Sequence, residues 1–296
     1  MNPSPNRPVY IALTSYFLWG FFPLYWRLLK AFSAVEILSH RVIWSFVFYT
    51  LVFLYVRYRR TSPPVPITPR QIRLSILAAA LISVNWGTYI YGVNSGRVLE
   101  TSLAYFLNPL LSVGVGVIFF KEPFPWPLKL ALTFAAAGIL VQMGMATQFP
   151  WIALTLATSF CSYGVVKKII NVEPSLGSAM EGAAGLVPAL IAACYLRGQS
   201  EVAITPYYAF LLMGSGVVTG LPLYLFSIAA QTLPYSLLGM MQFVAPTLQF
   251  MVGFLIYHEP LDSTRLLAFA LIWIGVGFYL ADRITRLSAE AYRRRR

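Results

Sequence analysis

Residues 108–123 read NPLLSVGVGVIFFKEP, and residues 245–260 read APTLQFMVGFLIYHEP. The two stretches stand 137 residues apart, aligning Asn108-Pro109 with Ala245-Pro246 and Lys121-Glu122-Pro123 with His258-Glu259-Pro260. Beyond them Gly138 aligns with Gly275. A second pair follows at a shift of 144, where Thr14-Ser15-Tyr16 and Trp19-Gly20 match Thr158-Ser159-Phe160 and Tyr163-Gly164. All lie in apolar segments long enough to span a bilayer, so each half of the chain carries one copy of a membrane unit. With an odd number of spans per unit the copies are inverted relative to each other, as in many secondary transporters.

Composition agrees with a membrane protein. The chain is 58% hydrophobic and 11% charged, against about 45–50% and 25% for a soluble domain. The net charge of +12 does not point to nucleic acid. The basic residues stand at the ends of apolar runs, where they face the cytoplasm and anionic lipid. Cys161 and Cys194 fall inside apolar runs and read as small buried hydrophobes. The first apolar run is too long and too aromatic for a signal peptide.

Ten apolar runs are legible, at 8–28, 38–56, 72–93, 101–120, 127–146, 150–169, 178–197, 206–229, 235–256 and 264–283. Each suits a helix crossing about 30 Å of hydrocarbon. The predicted fold is all-α and integral to the membrane: ten transmembrane helices in two inverted five-helix repeats, 1–146 and 147–283, then a basic cytoplasmic tail, 284–296. With the N-terminus inside, the inner segments hold 16 Lys and Arg residues and the outer segments 5. That imbalance puts both termini in the cytoplasm. Lys167 and Lys168 are counted there as inner residues.

Polar side chains at membrane depth need a partner, a wet cavity or a role. Asn85 and Tyr89 share a face of the third span, with Trp86 beside them; Tyr105 and Asn108 share a face of the fourth; Gln242 and Gln249 share a face of the ninth. Pro109 and Pro246 each free a backbone carbonyl one turn earlier. Tyr16, Trp19 and Tyr163 stand in the first and sixth spans, and Thr219-Gly220-Leu221-Pro222 near the middle of the eighth. Singly, such residues read as glue between helices. As a set converging from both repeats, they predict a polar cavity.

Three further residues are candidates for coupling or gating. Arg41 and Glu181 occupy related positions near the starts of the second and seventh spans and carry opposite charge. Inversion places them toward opposite faces, which argues against a direct pair. A short acid cannot snorkel as Arg can, so Glu181 is expected to carry a proton or contact a substrate amine. Arg41 is expected to meet an anionic group or form an outer gate. His40, beside Arg41, titrates near neutral pH in water. Glu122-Pro123 and Glu259-Pro260 read as helix stops at Pro, and Glu100 favours the positive end of the fourth span.

Four stretches carry a family resemblance: Ser15-Tyr16-Phe17-Leu18-Trp19-Gly20, residues 36–45 (EILSHRVIWS), residues 99–109 (LETSLAYFLNP) and residues 242–248 (QFVAPTL). On these the chain resembles the RarD branch of the EamA family, within the drug/metabolite transporter superfamily. The resemblance implies a bacterial inner-membrane permease with two five-helix repeats. Helices 1–4 and 6–9 would surround a central cavity, with helices 5 and 10 bracing the outside or forming a dimer contact. It also implies alternating access, often for export of amino acids, other metabolites or drugs. RarD-like proteins are frequently labelled chloramphenicol-sensitivity proteins, a label that fixes no physiological substrate. Where family members often carry histidines, this chain has Ser95-Gly96-Arg97, so no role of those histidines carries over.

The sequence thus predicts a secondary active exporter of small amphipathic metabolites, such as amino acids. Tyr16, Trp19, Asn85, Tyr89, Tyr105, Asn108, Gln242 and Gln249 are the substrate-binding candidates. His40, Arg41 and Glu181 are the coupling or gating candidates. Expected partners are the small-molecule substrate, protons as coupling ion, anionic lipids at the basic tail and a second copy in a homodimer. No cofactor, metal or nucleic acid is expected. Alternatives within the class are a drug efflux permease and an uptake carrier. A channel or scaffold is a weaker reading, and a membrane-embedded enzyme lacks the clustered acids or ligands its chemistry needs.

Overall fold

A computed structural model of the chain describes residues 7–60, 66–144, 149–198, 202–258 and 263–294. Among them are helices and connecting turns, and no strand. The helices are α1 (Arg7–Gly20), α2 (Phe22–Leu28), α3 (Ala34–Arg59), α4 (Pro69–Asn94), α5 (Val98–Ile118), α6 (Trp126–Met143), α7 (Trp151–Ile169), α8 (Pro174–Arg197), α9 (Pro206–Thr232), α10 (Tyr235–Met241), α11 (Val244–Leu255) and α12 (Ser263–Arg294). This is what lipid demands, because a helix satisfies its own backbone where water cannot.

Helix ends follow local chemistry. Ser33 caps α3 by accepting the Glu36 N–H, and Thr68 with Gln71 forms a capping box on α4. Glu173 and Thr205 cap α8 and α9. Two apolar runs are broken by proline chemistry. The first parts at Phe21, ahead of Pro23 in the opening turn of α2. The ninth parts at Gln242-Phe243, because Pro246 gives no N–H to the Gln242 carbonyl. That carbonyl accepts the Ala245 N–H instead, at 3.2 Å. Pro109, Pro188 and Pro222 sit inside unbroken helices.

Among the described residues seven stretches are long and apolar enough to cross a membrane: one each in α3, α4, α5, α6, α8 and α9, and the α10–α11 pair. The other three runs fall short for visible reasons. Helix α1 stops after 14 residues. Lys167 and Lys168 lower the hydropathy of α7. In α12 the apolar part is Leu266–Tyr279. Helix α12 runs on through 284–294, the described part of the basic tail. Glu259-Pro260, expected to stop the ninth helix, lies outside the described residues, as do the last two arginines of the tail.

Small residues bring the helices together, as packing in lipid requires. Gly182 and Gly185 of α8 face Phe46 and Val42 of α3, and Gly216 of α9 faces the Trp44 backbone. Ser45 adds a hydrogen bond to the Gly216 carbonyl at 3.1 Å. Helix α6 packs on α12 through Gly138 and Gly275, which align at the 137-residue shift. A Cβ on Gly138 would stand 2.8 Å from the Ala268 carbonyl oxygen, and one on Gly275 equally close to that of Ala131. The two cysteines are free, Cys161 buried and Cys194 exposed.

Gly277 faces open space, so the two glycines of α12 separate packing inside the chain from contact outside it. Gly275→Ala is expected to destabilise by about 1–3 kcal/mol through overpacking, whereas Gly277→Ala leaves stability unchanged. Thermal unfolding of the two purified variants checks this. Equal midpoints would remove the α6–α12 contact as a source of stability.

Candidate functional site

Helices α1, α2, α3, α4, α5, α7, α9 and α11, with Gln142 of α6, Phe269 of α12 and Gln242 between α10 and α11, line a cavity of about 1110 Å³. Ligand pockets typically hold roughly 300–1,000 Å³, so a small metabolite fits with water around it. The wall includes all eight residues singled out as substrate-binding candidates, together with Arg41. The lining runs from Tyr16, Asn85 and Gln242 out to Trp26, Ala34, Arg97 and Phe254. Those last residues stand at or near the ends of α2, α3, α5 and α11 on one side of the bundle, and the cavity opens there.

The break between α10 and α11 sets Gln242 in the wall, and the α5 register sets Tyr105 and Asn108 facing it. Some candidates hold helices together. Asn85 donates through Nδ2 to the Leu156 carbonyl at 2.8 Å and to Ser159 Oγ at 3.1 Å. Gln249 donates to the Trp19 carbonyl at 3.1 Å, and Tyr16 to that of Leu238 at 3.2 Å. Gln242 donates to Ser112 Oγ at 3.2 Å. The opposite atom of that amide, Gln242 Oε1, is buried without a hydrogen-bond partner, and so is Asn108 Oδ1. Such acceptors are costly to leave unmade. Tyr89 and Tyr105 remain partly exposed.

Arg41 brings a positive charge into the wall. Its Nε donates to Thr219 Oγ1 at 3.0 Å. The guanidinium lies over the rings of Trp26 and Trp86, 4.6 and 5.0 Å from their centroids. Aromatic faces attract a cation without neutralising it. Arg97 and Glu100, at the mouth, pair with each other at 2.5 Å, and Arg97 also lies over Trp151.

Toward the opposite helix ends, hydrogen bonds join helices within the second half and between the two halves of the chain. Lys168 Nζ donates to the Leu233 carbonyl at 2.6 Å. Gln71 donates to the Asn171 carbonyl at 2.8 Å. Glu122 does not merely end α5: its carboxylate accepts the Tyr235 and Ser236 N–H groups at 2.5 and 2.7 Å.

His40 and Glu181 do not line the cavity. Along α3 the wall residues are Ala34, Ile37 and Arg41, and His40 turns away with Nδ1 buried and unpartnered. Glu181 pairs with Lys167, Oε1 to Nζ at 2.6 Å, and accepts Tyr163 Oη at 3.1 Å. Arg41 and Glu181 thus hold different partners. Lys167, counted in the sequence as an inner-surface lysine, is fully buried. It was legible only as a lysine one turn beyond Tyr163 on one helical face. Trp26, Ser112 and the cap made by Glu122 were also missed, since each depends on contacts between distant segments.

The described residues form a multi-pass helical membrane protein around a cavity. The sequence model of the EamA-like transporter family matches residues 6–143. Protein RarD of Streptomyces exfoliatus is 39% identical over 88% of this chain and 84% of its own. Protein RarD of Escherichia coli K12 is 37% identical over 94% and 95%. The uncharacterized transporter YojE of Bacillus subtilis is 37% identical over the same shares. One solved protein crystal structure, 17% identical, matches with a TM-score of 0.71 over 92% of this chain and 96% of that one, a likeness of fold alone. The chain belongs to the EamA family of transporters and, within it, stands with the RarD proteins.

Glu181→Gln leaves the Lys167 ammonium buried without a counter-charge, at a cost of about 3–5 kcal/mol. The unfolding midpoint of that variant is expected well below wild type. Adding Lys167→Met removes the stranded charge and recovers most of the loss. A single variant as stable as wild type would show that the pair carries no such energy.

Proposed function

We propose that this protein is a bacterial inner-membrane secondary carrier that exports small amphipathic metabolites, amino acids or close relatives, by alternating access. The observation that carries the reading is the make-up of the cavity wall. A guanidinium held by neutral partners, Arg41, and two unpartnered amide oxygens, on Asn108 and Gln242, stand among aromatic side chains. Arg41 suits a carboxylate or another anion. The amide oxygens suit an ammonium or hydroxyl donor, and the Trp and Tyr faces suit an apolar side chain.

The architecture proposed is ten membrane spans in two inverted five-helix repeats, 1–146 and 147–283, with both termini cytoplasmic. Three pairings join a span to its own repeat mate: α3 with α8, α5 with α10 and α6 with α12. Others come in exchanged pairs, α4 with α7 beside α1 with α9, and α5 with α7 beside α1 with α11. A twofold relation between halves produces such a pattern. In this frame the cavity faces the outside and the opposite helix ends the cytoplasm. Protons are the proposed coupling ion. Glu181, paired with Lys167 between α7 and α8, is the proposed coupling residue.

Counterflow into proteoliposomes loaded with unlabelled amino acids, at two pH values, tests the reading. Saturable accumulation of one class is expected. Arg41→Gln is expected to weaken apparent affinity by about tenfold to a hundredfold, the worth of a charge-assisted hydrogen bond. An analogue lacking the carboxylate is expected to be indifferent to the change. Flat counterflow from folded protein across the panel would end the amino-acid proposal.

A further inference from the structure

Among the described residues three charged side chains line the cavity: Arg41, Arg97 and Glu100. Arg97 and Glu100 cancel. Arg97 Nη2 lies 2.5 Å from Glu100 Oε1, and Arg97 Nε donates to the same oxygen at 2.6 Å. The other oxygen, Glu100 Oε2, is buried. Neither oxygen is left for an ammonium in the cavity. Arg41 is not cancelled. It bonds the Thr219 hydroxyl and lies over the rings of Trp26 and Trp86, all of them neutral. The described wall therefore sums to a single positive charge.

The surroundings of Arg41 suit an anion further. Tyr89 and Tyr105, from α4 and α5, are its electrostatic neighbours in the wall. The two phenols stand close enough to interact with each other, and both are partly exposed. A phenol hydroxyl donates as a guanidinium does, so three side chains offer donors to one anionic group. Elsewhere the wall offers an apolar seat. Tyr16 and Phe160 lie 5.6 and 5.7 Å from Trp19, centroid to centroid.

A zwitterion in this cavity sets its carboxylate at Arg41 and strands its ammonium. The ammonium meets only acceptors without formal charge, and it adds a second positive charge to a wall that is already positive. In a site shielded from water a charge is held cheaply only beside a counter-charge, and like charges repel more strongly there than in water. A monoanion carries neither cost. It brings wall and ligand together to zero.

We infer that the cavity selects a small amphipathic monocarboxylate whose nitrogen, where it has one, is uncharged, as in an N-acylated amino acid, over the zwitterionic amino acid itself. Arg41 holds the carboxylate and Tyr89 and Tyr105 complete its site. Arg97 sets the specificity from the mouth, by keeping Glu100 from any substrate amine. The inference rests on the carrier reading above for the role of the cavity, and narrows its substrate class to the anionic relatives of amino acids.

Binding is read in purified protein, apart from transport, as the ligand-induced rise in unfolding midpoint over a concentration series. Four probes share a phenyl group: N-acetylphenylalanine, a monoanion; phenylalanine, a zwitterion; N-acetylphenylalanine amide, neutral; and 2-phenylethylamine, a cation. N-acetylphenylalanine is expected to bind tightest, about tenfold to a hundredfold ahead of phenylalanine, the cost of leaving one charged group unmatched. Arg41→Gln is expected to erase that preference. Arg97→Met frees Glu100 and brings the wall to zero, so phenylalanine is expected to gain on N-acetylphenylalanine by about tenfold; this variant also serves if Arg41→Gln folds poorly. Phenylalanine matching N-acetylphenylalanine in the wild type, 2-phenylethylamine binding tightest, a preference unmoved in either folded variant, or binding of none of the four would overturn the inference. Wild-type counterflow of the same probes decides the carrier reading separately. The binding preference without counterflow ends that reading and leaves the charge selection standing, and counterflow without the preference does the reverse.

Discussion

A polar atom at membrane depth has no bulk water to bond, and most of this structure follows from that. Every helix satisfies its own backbone, and the places where the ladder fails are closed by neighbours. Pro246 leaves the Gln242 carbonyl without its usual donor, and a tighter turn supplies one from Ala245. Ser15 donates to the Pro222 carbonyl at 2.8 Å. Asn85, Gln249 and Tyr16 spend their donors on carbonyls of other helices. The acceptors still unmade, Asn108 Oδ1 and Gln242 Oε1, belong to residues of the cavity wall.

Close approach is the second requirement, and glycine meets it. Lipid tails are as apolar as leucine, so helices associate by packing and by hydrogen bonds rather than by burial from water. Gly138 and Gly275 show this in matched form, each pressed on a backbone carbonyl of the other's helix. Gly116 shows a different use. It admits a helix start and the carboxylate that caps it into one small space.

The helices were legible because apolar runs and proline positions are local. Each of the ten runs maps onto one helix or, for the first and ninth, onto a helix pair broken near a proline. The cavity residues were legible for a related reason: an amide in an apolar run is expensive, and the spacing of Asn85 to Tyr89 and Tyr105 to Asn108 gives the face. Partners were not legible. Whether Asn85 is glue or ligand depends on Leu156 and Ser159, more than seventy positions away. Glu122 looked like a helix stop because its role needs the start of α10, and Lys167 looked like a loop lysine because its role needs Glu181.

Lys167 and Arg41 show how one cost is met in two ways. Both place a positive charge in an apolar run. Lys167 is fully buried with the Glu181 carboxylate at 2.6 Å, and the Tyr163 hydroxyl donates to the same carboxylate. Arg41 has a threonine hydroxyl and two indole faces, and among the described residues no carboxylate pairs with it. Those neighbours fix the guanidinium in place while leaving its charge unbalanced toward the cavity. An interior cation kept without a protein counter-ion is poorly explained as a structural device, because a buried charge is retained cheaply only when paired. It is well explained as half of a pair whose other half arrives and leaves with the substrate. On that ground an anionic group in the transported molecule is the part of the proposal that the wall itself most directly supports.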